Sequence, residues 1–289
     1  MIQPCPVINH VLDFARSTKH RIWVSEKVAA RWAKATMEAI TARVQPFQFD
    51  PLRYPSQRFL RFNEPVEEIL EAPRRIFALW TGENAMPEIR SANLQKIREQ
   101  AGVTVHLVTP ENLSDWVIED HPIHPAYEYL SLTHRSDYLR AYLLHHHGGG
   151  YTDIKSPRGS WDVHFENLNK DPEAWLLGYP EDSKGRIPPY GGALEKDLHR
   201  HFASVMGTMA MITRPRSPLT SEWFSELERR LDYFLPLLKR APGGVRDEVA
   251  RYPVGWTQLL ADILYPLSLK YSSRIRLHEN FTPPDEPYR

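Results

Sequence analysis

From residue 74 onward, short apolar runs alternate with amphipathic stretches, the rhythm of strands and helices in turn. Arg75-Ile76-Phe77-Ala78-Leu79-Trp80 is an apolar run halted at Thr81-Gly82, which predicts a buried strand and a turn. Met86-Pro87-Glu88 opens a helix, since proline is tolerated in the first turn, and Leu94, Ile97 and Ala101 supply part of its apolar face. Gly102 ends it, and Val103, Val105 and Leu107 alternate as a second strand. Strand, helix and strand in succession predict a βαβ unit with parallel strands. A further helix is expected from about Ala126 to His147, stopped by Gly148-Gly149-Gly150, and then a strand over Tyr151–Lys155. Trp175–Tyr179 and Met209–Thr213 read as later strands, Ser221–Leu238 and Trp256–Leu264 as later helices. The class is α/β.

The first 60 residues differ from the rest. They hold nine basic residues against four acidic ones. Ser25 can cap a helix whose apolar stripe is Val28, Trp32, Ala35, Ala39 and Ile40. This predicts a helical N-terminal extension over residues 1–70 ahead of a main domain over 71–289. Such a helix packs on the main domain with its charges solvated, and its basic amphipathic character also suits a peripheral membrane or polyanionic contact.

Charge and cysteine content narrow the class. Among 289 residues, 36 lysines and arginines balance 36 aspartates and glutamates, which excludes a generic polyanion binder and argues against a nucleic-acid partner. One cysteine, Cys5, allows neither an intramolecular disulfide nor a cysteine-based zinc site. The opening MIQPCPVINH lacks a charged segment followed by an apolar run, and no stretch approaches the roughly 18 apolar residues of a membrane span. The expected setting is cytoplasmic, with contact at the inner face of a membrane as the one elaboration.

The informative segment runs from Thr133 to Lys155. Asp137 and Arg140 are three apart and share a helix face. From Asp137 to the helix end is about ten residues, roughly 15 Å. If the glycines reverse the chain, the strand leading to Asp153 covers about the same length. Asp137 and Asp153 then stand at one height. Alternation along the strand puts Tyr151, Asp153 and Lys155 on one face.

Ser136-Asp137-Tyr-Leu-Arg140, then Gly149-Gly150-Tyr151-Thr152-Asp153-Ile154-Lys155, resembles the donor-binding core of DXD-type glycosyltransferases of the family 32 group. That group includes capsular polysaccharide synthesis proteins and the glucosylating toxins. Ile76-Phe-Ala-Leu-Trp80-Thr-Gly82 resembles the group's opening strand, and the likeness runs from Arg74 to Lys155, with residues 1–70 outside it. The resemblance implies a GT-A-type fold and retaining transfer from a nucleotide sugar, a UDP-sugar, to a saccharide or lipid-linked glycan acceptor. It implies that Trp80 stacks on the base and that Ser136, Asp137, Arg140 and Tyr151 line the donor pocket. Asp153 then contacts the ribose, or a metal if one is used. The group's second motif aspartate, an oxygen ligand for Mn²⁺ or Mg²⁺, is Lys155 here. An ammonium cannot ligate a metal, but it can neutralise a diphosphate. Two implications stay open: metal-independent transfer with Asp153 and Lys155 as the catalytic pair, or a non-catalytic nucleotide-sugar or glycan-binding protein with a degenerate motif. His145-His146-His147 is read structurally, because successive helical residues point about 100° apart and do not converge on one ion.

Overall fold

The computed structural model describes residues 47–63, 65, 68–245 and 250–284, and the helix expected after Ser25 lies outside them. The chain divides into two compact units, Met1–Gln48 and Phe49–Arg289. Every element below belongs to the second. Its strands are β1 (Arg75–Leu79), β2 (Thr104–Val108), β3 (Gly149–Thr152), β4 (Leu176–Gly178), β5 (Ala210–Thr213) and β6 (Ile275–Leu277). Its helices are α1 (Glu88–Gln100), α2 (Leu132–His146), α3 (Asp162–Lys170), α4 (Gly192–Arg200), α5 (Pro218–Leu238) and α6 (Ala261–Lys270). The sheet order is β2-β1-β3-β5-β4-β6. β1 is parallel to β2 and β3, β5 is antiparallel to β3 and β4, and β6 is parallel to β4.

Pairing register decides which side chains share a face. Ile76 lies opposite Gly150, and Gly150 opposite Ile212, so these face one way, while Phe77, Tyr151 and Met211 face the other. α3 covers the first face, its Phe165 and Leu168 packing with Ile76, Leu177 and Ile212. α1 joins it, with Leu94 against Ala78. On the second face, Thr213 Oγ1 donates to the Leu144 carbonyl of α2 at 3.2 Å, and Tyr142 of α2 meets the Phe224 ring of α5 edge-on. Each fully buried Phe or Leu contributes about 1.5–3 kcal/mol. Residues 49–63 belong to this unit too. Arg53 Nε and Tyr54 OH donate to Asp197 of α4 at 2.6 and 2.9 Å, and Phe59 and Leu60 are buried.

Several boundaries differ from the sequence expectation, among them the start of α5 at Pro218 in place of Ser221. Helix α2 begins at Leu132, not Ala126, because Ser131 is extended (φ −61°, ψ 157°) and caps it by accepting the His134 N–H. The strand after the glycines spans 149–152 and stops before Asp153, because the Lys155 N–H turns back to the Asp153 carbonyl at 2.7 Å. The helix expected over 256–264 is α6, displaced because residues 255–258 close a turn, Gln258 N–H to Gly255 carbonyl at 3.0 Å. No described helix is long and apolar enough to cross a membrane.

The reversal between α2 and β3 rests on Gly149. Its φ is +97°, and a Cβ there would stand 2.9 Å from the Arg75 carbonyl oxygen of β1. Gly149→Ala is expected to lower the unfolding free energy by about 2 kcal/mol or more, read by urea denaturation. A change within about 0.5 kcal/mol, the range of an unremarkable surface position, would contradict this account.

Candidate functional site

The connection β1–α1–β2 crosses the first face and β2–α2–β3 crosses the second, so the helix that leaves β1 and the helix that enters β3 lie on opposite faces of the sheet. Between parallel strands of this kind a crevice opens at their carboxyl ends, the place where open α/β sheets bind ligands. Trp80 directly follows β1, and Asp153 directly follows β3. Thr81 Oγ1 donates to the Leu132 carbonyl at 2.7 Å, fixing the start of α2 at this same edge.

Arg140 is the hub. It is 5% exposed, and its Nη2 donates to the Tyr151 hydroxyl at 2.8 Å, which in turn donates to Asp153 Oδ1 at 2.7 Å. The same nitrogen lies 3.7 Å from Asp137 Oδ1 and 3.5 Å from Asp153 Oδ1. Nη1 donates to the Thr208 carbonyl at 3.1 Å, and the guanidinium carbon sits 4.1 Å from the centre of the Tyr151 ring. Burial alone would depress the Arg140 pKa, but Tyr151, Asp137 and Asp153 more than offset it, and it lies above the ordinary arginine value. Burial drives the Tyr151 phenol well above its ordinary value, with the Asp153 carboxylate adding to the rise, so it stays neutral and can both accept and donate.

The structure thus brings Asp137, Arg140, Tyr151 and Asp153 together. Ser136 is half-buried one residue before Asp137. Trp80 is half-buried, donates its indole N–H to the Asn84 carbonyl at 2.8 Å, and packs on the cluster of Ala78, Leu94 and Ile154. It therefore stands on the Ile154 side of the crevice edge. Lys155 departs from expectation. Because β3 ends at Thr152, strand alternation does not align it with Tyr151 and Asp153. It is 5% exposed, and its Nζ approaches Met209 Sδ at 2.9 Å.

Among the described residues no three His, Cys, Asp or Glu side chains group to hold an ion. Asp153 Oδ1 already accepts from Tyr151, and the Lys155 ammonium two residues on is buried.

One acidic residue escaped the sequence pattern. Glu181, 7% exposed, follows β4 just past its carboxyl end. Burial raises its pKa despite the Tyr265 hydroxyl that donates to it and the Arg186 charge. Glu181 and Asp153 both add to the rise of the Tyr179 phenol, which burial drives, while Arg140 opposes it. The only sequence signal for Glu181 is an acid directly after an apolar strand.

Arg140→Met should cost about 3–5 kcal/mol of stability, because it withdraws the cation shared by the buried Asp137 and the half-buried Asp153. Tyr151→Phe, which removes only the relaying hydroxyl, should cost about 1–3 kcal/mol. Urea unfolding of both variants tests this. Losses below about 1 kcal/mol for Arg140→Met would mean an exposed pair rather than a buried hub.

Residues 52–154 match the family model described as capsular polysaccharide synthesis protein. The match starts upstream of Arg74, where the motif resemblance begins, and ends just before Lys155. Among solved structures, one named PaToxG Glycosyltransferase is similar at 10% identity over 85% of this chain and 78% of that chain. Its TM-score is 0.38. No curated protein matches the chain significantly. From Leu52 to Ile154, through the hub formed by Arg140 and Tyr151, the chain is similar to the capsular polysaccharide synthesis proteins, the family whose motifs it resembles.

Proposed function

We propose that this protein is a retaining glycosyltransferase of GT-A type. It moves a sugar from a UDP-sugar to a saccharide or lipid-linked glycan acceptor in polysaccharide or glycoconjugate synthesis. The observation that carries this reading is the convergence of Asp137, Arg140, Tyr151 and Asp153 at the carboxyl end of β3, beside β1, the strand that Trp80 directly follows. In this reading Trp80 stacks on the base, while Ser136, Asp137 and Asp153 accept from sugar and ribose hydroxyls. Arg140 and Tyr151 hold both carboxylates in place. Transfer breaks the bond between the anomeric carbon and the diphosphate oxygen and forms one to the acceptor oxygen. The electron pair leaves with the diphosphate, which takes the acceptor's proton. Lys155 supplies the positive charge for that leaving group. Direct donation to a developing oxyanion in a desolvated site is an effective form of stabilisation.

The reading predicts UDP binding. Trp80→Ala should weaken it by about 1–3 kcal/mol, the range of base stacking on an aromatic side chain. Calorimetric titration of variants whose thermal unfolding is unchanged gives the measurement. Unaltered UDP affinity would remove Trp80 from the site.

Turnover of the cognate donor should survive EDTA, and Lys155→Ala should lose most of it, by about a hundredfold as for removal of one oxyanion donor. Activity abolished by EDTA and restored by Mn²⁺ would overturn the role given to Lys155. Lys155 in place of the motif carboxylate also favours a second reading, a non-catalytic nucleotide-sugar or glycan-binding protein. Tight donor binding with no turnover of any nucleotide sugar would select it.

A further inference from the structure

At the opposite edge of the sheet lies a pocket of about 430 Å³ whose chemistry the donor crevice leaves unused. Asp120, His121, His145, His146, Arg216 and Ser221 line it. Its place follows from the topology. α2 starts at the carboxyl end of β1 and ends beside the first residue of β3, so His145 and His146 sit at the far end of the helix from Asp137. Nine residues separate Asp137 from His146, roughly 13 Å and half a revolution, which points the two side chains to opposite sides of α2. β5 runs antiparallel to β3, with Thr213 opposite Gly149, and so delivers Arg216 to the same far edge.

Several features mark this pocket as built to bind. His146 is 7% exposed, and its Nε2 is buried without a hydrogen-bond partner. A buried imidazole nitrogen with no partner is costly unless something else accounts for it. Arg216 keeps a left-handed backbone (φ +52°), an arrangement that persists in a non-glycine residue only where its surroundings hold it. Its N–H donates to the His145 carbonyl at 2.9 Å, and its side chain is exposed. No described carboxylate pairs with that guanidinium, although Asp120 shares the lining. Burial, reinforced by Arg216 and His121, pushes His145 down to about 4. Burial, reinforced chiefly by His145 and His121, pushes His146 down to about 3. Both are therefore neutral near pH 7; His145 Nδ1 already faces Thr220 Oγ1 at 3.4 Å and His146 Nε2 is sealed from solvent, which leaves one nitrogen on each ring for a ligand. Among the described residues the pocket has one guanidinium with no carboxylate partner, together with imidazoles, a serine hydroxyl and a carboxylate. Its volume suits a monosaccharide-sized molecule.

We propose that this pocket is a second saccharide site, specific for a sugar unit that carries one anionic group, a carboxylate or a phosphate. Arg216 pairs with the anion, while His121, His145, His146, Ser221 and Asp120 exchange hydrogen bonds with the hydroxyls. The site needs no metal. It serves as an anchor for an acidic glycan rather than as a place of chemistry, since it stands on the other side of α2 from the transfer centre.

The test is NMR titration of the full chain, labelled at histidine side chains, with glucuronate, glucose 1-phosphate, glucose and inorganic phosphate. Glucuronate, glucose 1-phosphate or both should shift the His121, His145 and His146 signals, and which one does so identifies the anion. Glucose and inorganic phosphate should each bind about tenfold more weakly, having lost either the charge-assisted contact or the hydroxyls. Arg216→Gln should weaken the acidic sugar by about tenfold as well. Ser221→Ala, which leaves the Arg216 backbone alone, is the companion variant and should weaken it measurably. Saturating UDP should leave the titration unchanged. No histidine shift with either acidic sugar, equal affinity in both variants, or displacement by UDP would each overturn the proposal. Inorganic phosphate binding as tightly as the sugars would reduce the pocket to an anion site and overturn its saccharide specificity. The readout is binding alone, so failure here leaves the glycosyl-transfer reading standing.

Discussion

A buried guanidinium governs this molecule. Removing Arg140 from water costs several kcal/mol, and only close opposite charge and full hydrogen bonding offset that cost. Asp137, Asp153, the Tyr151 hydroxyl and the Thr208 carbonyl meet most of this demand from the same helix, from β3 and the residue after it, and from the segment leading into β5, while Nε stays buried without a hydrogen bond among the described residues. The elements around the crevice are therefore tied electrostatically as well as by apolar packing. The two carboxylates are held in place around Arg140 before any ligand arrives, a preorganisation that lowers the cost of binding.

How much of this the chain announces varies with the kind of signal. β1, α1 and β2 are plain from periodicity, because apolar runs and amphipathic stretches are separated by Gly and Pro. The pairing of Asp137 with Asp153 is legible from lengths, since a helix run and a strand run of equal reach meet end to end across glycines. The strength of the Arg140 contact is not legible. An i,i+3 pair on an open helix is worth a few tenths of a kcal/mol, and only the cover supplied by Tyr151 and β5 changes its dielectric setting. The turn at Asp153–Lys155 is equally hidden, because it depends on one local backbone bond that overrides strand alternation. Glu181 could not be singled out, since its burial comes from Tyr265, 84 residues away in sequence.

The two edges of the sheet have opposite characters. At the carboxyl end of β3, the polar groups are already engaged with one another around Arg140. At its amino end, imidazoles and a guanidinium stand beside open volume. A single helix, α2, presents one set from its first half and the other from its last turn. A shift of α2 along its axis would alter both ends together, so its capping by Ser131 matters to each.

The glycine reversal also sets how lengths can vary among related chains. α2 and β3 run side by side from a common turn, so an added residue within Gly148–Gly150 would advance Asp153 by about 3.3 Å and invert the faces of β3. Asp137, fixed upstream, would not follow. The stretch from Ser136 to Asp153 is therefore a ruler with no slack, whereas the irregular stretch between β2 and α2 lies outside it. Length polymorphism should collect in that irregular stretch and be absent from the interval between the two aspartates, whatever happens to the identities of the intervening residues.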